Sequence, residues 1–244
     1  MPRNNVTDIA QRNALLKALP LQAYERLQPH LIPALLSRGQ VLQDCDQDIS
    51  WIYFPASGLV SLVVVMFNGV TVESSLVGND GVVGIELPLG MLRPACRAVV
   101  HIPGGALRLR AEVLLSEFCR GGELHRLLLH CAQRLMAHLC YIAACNRLHS
   151  VEQRLCRWLL QRVDRTPGNE LRLTQEFIAS MLGDRRETIN LAERHLQRLG
   201  FIRHSRGRVA VLNRQGLEVS ACECYKALKS QTESLVAAVD ARAA

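Results

Sequence analysis

Several features that would mark other kinds of protein are missing from this 244-residue chain. No unbroken apolar run reaches the roughly 18 residues needed to cross a bilayer. The first residues also lack a basic stretch leading into an apolar core and a small-residue cleavage site. A cytoplasmic protein with no membrane partner is therefore expected. The nine cysteines are odd in number and include no C-x-x-C pair, which argues against a disulfide framework and for mostly reduced thiols. No histidine lies between Leu31 and Val100, so a cupin-like enzyme would lack its usual metal ligands, and neither a nucleophile motif nor a phosphate loop is present. Catalysis is not expected. No internal repeat or low-complexity tract interrupts the chain.

What is present is basic charge, unevenly spread. Lys and Arg number 29 against 22 Asp and Glu, a formal charge of +7 that favours a polyanionic partner without identifying it. From Ser150 to Ser220 the balance is 13 to 8, or +5, whereas residues 1–149 hold 13 against 11, or +2. Most of the excess sits in the smaller, C-terminal part, and the length allows two domains with separate cores.

The hydrophobic period changes along the chain. Residues 8–31 read as one or two short helices, with Leu15, Leu16, Leu19, Leu27 and Leu31 interrupted by Pro20 and Pro29. From Leu35 to about Leu109, short apolar runs alternate with glycines, predicting a β-sandwich or barrel, and Asn68-Gly69 is its strongest hairpin signal. One long helix is predicted from Glu123 to about Arg147, where Gly and Pro are absent. Leu128, Ala132, Leu135, Leu139, Ile142, Asn146 and His149 recur on one face of it at 3-4 spacing. That face is either a coiled-coil seam between two copies, with Leu128, Leu135, Leu139, Ile142 and Asn146 in it, or an ordinary helix face packed on the β domain. An amphipathic helix follows over Val151–Val163 and ends at Pro167-Gly168-Asn169.

Between Leu173 and Leu212 the pattern is helix, tight turn, helix and hairpin. Thr174 is a plausible N-cap, Phe177, Ile178, Met181 and Leu182 take core spacing, and Gly183-Asp184 supplies the turn. The second helix, from about Arg185 to Leu199, buries Ile189, Ala192, Leu196 and Leu199 and stops at Gly200. Its other face opens with Arg185, Arg186, Glu187, Thr188 and Asn190. Arg can donate twice to a guanine edge, Glu can accept from cytosine and Asn can pair with adenine, so Arg185, Arg186, Glu187 and Asn190 are the candidate base readers. Phe201–Arg203 and Val209–Leu212 flank His204–Arg208 as a two-stranded wing with a basic tip. Thr174, Gln175, Thr188, Arg203, Ser205, Arg206 and Arg208 are the candidate phosphate contacts.

Thr174–Ala179, Leu182-Gly183 and Arg186–Ile189 resemble the DNA-binding domain of the Crp/Fnr regulators, whose pattern runs T-x-x-x-[IL]-A-x-x-[LM]-G-x-x-R-E-T-[VI]. Upstream, Ile52–Pro55, Gly58–Leu62 and Gly81–Gly84 resemble that family's N-terminal β-roll, so the likeness spans almost the whole chain. It implies an α+β protein: a jelly-roll-like β-roll sensor domain over 1–122, a long dimerisation helix over 123–149, a winged helix-turn-helix over 150–216 and a helical tail over 217–244. It also implies a homodimer that binds double-stranded DNA at palindromic operators and works with RNA polymerase as an activator or repressor. Arg186 and Glu187 inherit the base-reading role. Members that read with an Arg-Glu pair often add a second Arg five positions after the first. Leu191 stands there in this chain, leaving Arg185 or Asn190 to compensate. A ligand-binding or interaction module whose winged helix contacts protein is the alternative.

The family's cyclic-nucleotide binders carry an acidic residue, an Arg-Ser pair and a Thr-Ser pair where this chain has Val82, Leu92-Arg93 and Leu139-Cys140. A buried cyclic phosphate needs a cationic or donor-rich cradle, so cyclic AMP is not the expected ligand. An iron–sulfur sensor of the family's kind would want an N-terminal cysteine group, and no cysteine precedes Cys45. Cys131, Cys140, Cys145 and Cys156 read as small hydrophobes on the two middle helices, with thiol sensing left open. Cys222-Glu223-Cys224 is a weak metal signal without further ligands. No cofactor and no metal are expected, and a small-molecule or redox effector remains open.

Overall fold

The structure is a computed structural model and describes residues 3–231. Its contacts form two units, one of residues up to Leu62 with Ser75–Ala137, the other of Val63–Ser74 with His138–Ser230. The division falls inside the long helix. In chain order the elements begin with α1 (Arg3–Ala10), α2 (Ala14–Lys17) and α3 (Leu21–Leu27). Strands β1 (Ile32–Leu36), β2 (Val41–Gln43), β3 (Trp51–Pro55), β4 (Leu59–Val65), β5 (Thr71–Val77), β6 (Arg97–Ile102) and β7 (Gly104–Arg110) follow. Next come α4 (Ala111–Cys119), α5 (Gly122–Leu148), α6 (Val151–Val163), β8 (Glu170–Arg172), α7 (Gln175–Leu182), α8 (Arg186–Arg198), β9 (Ile202–Ser205), β10 (Arg208–Val211) and α9 (Arg214–Ser220). Residues 224–231 are helical, and the rest of the expected tail, 232–244, lies outside the described residues.

The first unit is built around an antiparallel sheet ordered β1-β7-β3 and most of a sheet ordered β2-β6-β4-β5, of which the end of β4 and the start of β5 are counted with the second unit. Alternation along β3 and β7 decides what each face meets. Ile52 pairs with Leu109 and Phe54 with Leu107, and these four join Leu15, Leu16, Leu27, Leu114, Leu124, Leu127 and Leu128 in the core beneath the helices. Tyr53, between Ile52 and Phe54, and Ala106, next to Leu107, turn to the opposite side, into a second core with Val60, Leu62, Val77, Val83, Ala98 and Val100. Buried Asn13 stitches this unit together. Its Oδ1 caps α2 by accepting from the Leu15 and Leu16 amides, and its Nδ2 donates to the carbonyls of Pro55 and Gly81, each at 2.9 Å. The Asn68-Gly69 turn forms between β4 and β5, with Asn68 Oδ1 accepting from the Val70 amide.

α5 matches the predicted long helix, but its seam is not free along its length. Leu128 is buried in the chain's own core, Leu135 packs against that core, and Ile142 is buried, while Leu139 and Asn146 are exposed. The large apolar residues left outward are Leu129, Met136, Leu139, Tyr141 and Leu148. A 3-4 repeat says that something covers a face without saying what, and the β domain covers the first half of this one. By length and composition alone α5 could cross a membrane. One 18-residue window of it reaches a mean hydropathy of 1.2 and is only 22% buried. The sequence shows no unbroken apolar run there because Arg126, Arg134 and three histidines interrupt it.

Candidate nucleic-acid interface

α6 begins where the sequence signals it, at a capping box in which Ser150 and Gln153 satisfy each other's backbone amides. One side of the helix-turn-helix rests on this helix. Arg154 donates to the Leu182 carbonyl and to the Asp184 carboxylate, and Asp184 in turn accepts from the Arg185 amide. The turn therefore has its shape fixed from behind. Gly183 ends α7 in the left-handed region at φ 65°, which costs glycine nothing, and a side chain there would press on Val72.

α8 starts at Arg186, with Arg185 extended as its N-cap. Ile189, Ala192, Glu193 and Leu196 are buried behind it, but Leu199, expected among them, is the C-cap and exposed; Arg185, Arg186 and Glu187 are exposed and Thr188 and Asn190 half-buried. Leu191, Arg194 and Arg198 continue the outward face and were not among the expected contacts. The 3.6-residue period carries that face on from Glu187 through Leu191 and Arg194 to Arg198, and it was the signal that could have found them. Leu191 is 66% exposed, an apolar patch within the basic face.

Behind the helix lies a polar knot that the sequence did not reveal. Buried Glu193 accepts from Gln175 Nε2 at 2.7 Å and pairs with His204 Nδ1 at 2.9 Å, and Gln175 also donates to Asn190 Oδ1 at 3.3 Å. Gln175 and Asn190 are thus held to each other, one a candidate phosphate contact and the other a candidate base reader. Thr174 uses its hydroxyl to cap α7, accepting from the Phe177 amide at 3.2 Å. The knot ties α7, α8 and the wing into one surface.

The wing is tighter than the five-residue tip read from the sequence. Ser205 pairs directly with Arg208, so the connection is the two residues Arg206-Gly207, with φ of 49° and 72°. Both angles are positive, as a type I′ hairpin turn requires, and Asn-Gly would be the relaxed choice. Arg206 is the one non-glycine described residue with positive φ, and it stands exposed at the tip. Arg203 and Ser205 are also exposed, while Arg208 is engaged with Glu170 at 2.8 Å, both about half exposed.

Residues 153–219 match the family profile of the Crp-like helix-turn-helix domain. The chain carries a Crp-like helix-turn-helix domain over these residues. Its fold is shared with solved structures of low sequence identity. A Crp/Fnr-family protein from Eubacterium rectale is 17% identical with a TM-score of 0.71, covering 86% of this chain and 98% of its own. FixK2 of Bradyrhizobium japonicum is 16% identical with a TM-score of 0.68, over 79% and 98% of the two chains. CLP of Xanthomonas campestris, described as a c-di-GMP-responsive global regulator, is 16% identical with a TM-score of 0.63, over 79% and 99%. A search of curated protein sequences found no match. The Crp/Fnr-type architecture agrees with the α+β arrangement of β-roll, long helix and winged helix expected from the sequence.

At two of the positions where the Crp/Fnr pattern would cradle a cyclic nucleotide, this chain has other uses for its side chains. Val82 is buried in the apolar core, and Arg93 pairs with Asp48 in solvent. Arg134, outside those positions, holds the Asp80 carbonyl at 2.6 Å and its carboxylate at 3.3 Å. The structure also brings together four residues that the sequence leaves apart: Cys145, His149, Cys222 and Cys224, whose ligand atoms all lie within 4.8 Å of one another. The Cys145 thiol is drawn down to about 5, chiefly by its hydrogen bond with Cys222, and that same bond raises the Cys222 thiol.

Proposed function

We propose that the chain binds double-stranded DNA as a homodimer and regulates transcription by placing α8 of each copy in successive major grooves. The observation that carries this reading is the outward face of α8. Arg185, Arg186, Glu187, Asn190, Leu191 and Arg194 lie on it above a rigid apolar and polar backing. Arg186 would donate to a guanine edge and Glu187 would accept from a cytosine amine, with Leu191 against a thymine methyl where a second Arg would otherwise read. Arg203, Ser205, Arg206, Gln175, Thr188 and Thr174 would serve the phosphates, and Arg208 would do so by leaving Glu170.

The outward apolar side chains of α5 support the homodimer. A helix this apolar and this little buried in one chain is covered most simply by its twin, with Leu129, Met136, Leu139 and Tyr141 replacing Leu128 in the seam. In this reading 1–122 is the sensor domain, 123–149 the dimer helix, 150–216 the DNA-binding domain and 217–244 a tail. The protein is cytoplasmic and non-enzymatic, does not use cyclic AMP, works with RNA polymerase and answers to an effector of another class.

Duplex selection from a random library with the full chain tests the reading, followed by anisotropy over a salt series. Palindromic sites with half-sites about 34 Å apart are expected, with affinity falling steeply as salt rises. A monomer in sedimentation that enriches no duplex at low ionic strength would overturn it.

A further inference from the structure

We propose that Cys145, His149, Cys222 and Cys224 form a closed, four-coordinate site for a single divalent ion of the zinc class, joining the end of α5 to the segment after α9. Cys145 and His149 are one helical turn apart, so both project from the same side. Cys222 and Cys224 flank Glu223 just past the Ala221 C-cap of α9. The facing donors have the spacing of a coordination shell. Cys145 Sγ lies 3.5 Å from Cys222 Sγ, and Cys224 Sγ lies 3.7 Å from His149 Nδ1. Four tetrahedral donors at zinc–sulfur and zinc–nitrogen lengths of about 2.3 and 2.0 Å stand about 3.5–3.8 Å apart. A multi-iron cluster, whose irons each take their own thiolate, does not fit donors gathered within 4.8 Å.

Three further observations separate this group from cysteines that merely fill space. Cys145, Cys222 and Cys224 are all buried, and the three thiols make up a buried cluster of their own, with no leucine or valine among them. His149 turns Nδ1 toward Cys224 while its Nε2 lies 3.1 Å from the Glu223 carboxylate. That is the carboxylate–histidine pairing that fixes the tautomer and orientation of a metal-bound imidazole. Three thiolates and a neutral imidazole around a divalent ion leave one negative charge. The guanidinium of buried Arg157, whose field reaches both Cys145 and Cys222, opposes it. Arg157 itself donates through Nη1 to Gln161.

The test is made on the full-length protein, purified under reducing conditions without chelator. Mass spectrometry of total metal should find one zinc per chain. Cobalt(II) in its place should give thiolate-to-metal charge transfer and the intense visible bands of a tetrahedral site. The C222S/C224S variant should lose the metal, whereas C119S, at an exposed cysteine outside the group, should keep it. Because the double variant can fail to fold, alkylation of the unmutated protein gives a second measurement. Zinc should protect Cys145, Cys222 and Cys224 relative to metal-free protein while leaving Cys45 and Cys119 equally reactive. Each of three results would overturn the proposal: less than half an equivalent of metal after incubation with zinc, an octahedral cobalt spectrum, or alkylation of the three thiols unchanged by zinc.

Discussion

Glu73 on β5 closes over Arg162 on α6, with its Oε2 accepting from Arg162 Nη2 at 2.5 Å while its Oε1 accepts from Trp158 Nε1 at 3.0 Å. Arg162 is wholly buried and lies 3.2 Å over the Trp158 ring. Burial draws its pKa down to about 10 against the pull of Glu73. A charge in that position depends on the Glu73 carboxylate paired with it. Glu73→Ala should cost about 3–5 kcal/mol in denaturant unfolding, because it strands a buried cation. Glu73→Ala combined with Arg162→Met should cost less than Glu73→Ala alone, and an equal or larger loss in the double variant would show that the pair is not the source of the effect.

Base reading and phosphate contact should separate at two arginines. Arg186→Ala is expected to lose about 1–3 kcal/mol of affinity and to relax preference at one base pair per half-site. Selection with the variant checks this, and an unchanged preferred site would remove Arg186 from the reading face.

The wing turn carries a second, opposite pair of effects. Arg206 sits at φ 49°, a region in which Asn is more at ease. Arg206→Asn should therefore raise stability by up to about 1 kcal/mol while weakening binding to all duplexes alike. Its slope of log affinity against log salt should be shallower by about 0.9. Thermal unfolding and anisotropy measured on the same preparation check both halves.

Asn13 answers four backbone groups with one side chain. Asn13→Ala removes the α2 cap, worth about 1 kcal/mol, and leaves the Pro55 and Gly81 carbonyls without that donor, at about 1–3 kcal/mol more. Equilibrium unfolding should show the combined loss with no change in DNA preference per folded molecule.

Two thiols are pushed out of reach of ordinary chemistry. Burial raises Cys131 to about 11 and raises Cys156 to about 12, where the Glu152 charge adds to it. In the unfolded chain each ionises near 9, so above that pH the unfolded state binds fewer protons and stability falls as pH rises toward 11. Cys156→Ala should flatten that decline in a series of melts. At neutral pH a thiol reagent should label exposed Cys45, Cys119 and Cys140 and spare Cys131 and Cys156.

Local features could be read directly from the residues. Ser150 and Gln153 announce α6, Gly183 ends α7, and Ile52, Phe54, Leu107 and Leu109 alternate as a half-buried sheet must. The outward face of α8 follows from helical period alone, and the same period extends it to Arg194 and Arg198 beyond the first turn. Partners distant in sequence could not be read. Glu73 and Arg162 are 89 positions apart, Cys145 and Cys222 are 77, and no periodicity links them. Leu128 shows the same boundary, because its spacing required a cover and could not name one.

The order of helices and strands, the basic outward side of α8 and the turn before it were written into neighbouring residues, since backbone preference and side-chain direction act over a few positions. Which surface shields α5, why Arg162 can be buried, and that three thiols and an imidazole meet were settled only when remote segments packed. Contacts of that kind depend on where whole elements come to rest, and the chain order leaves no trace of it.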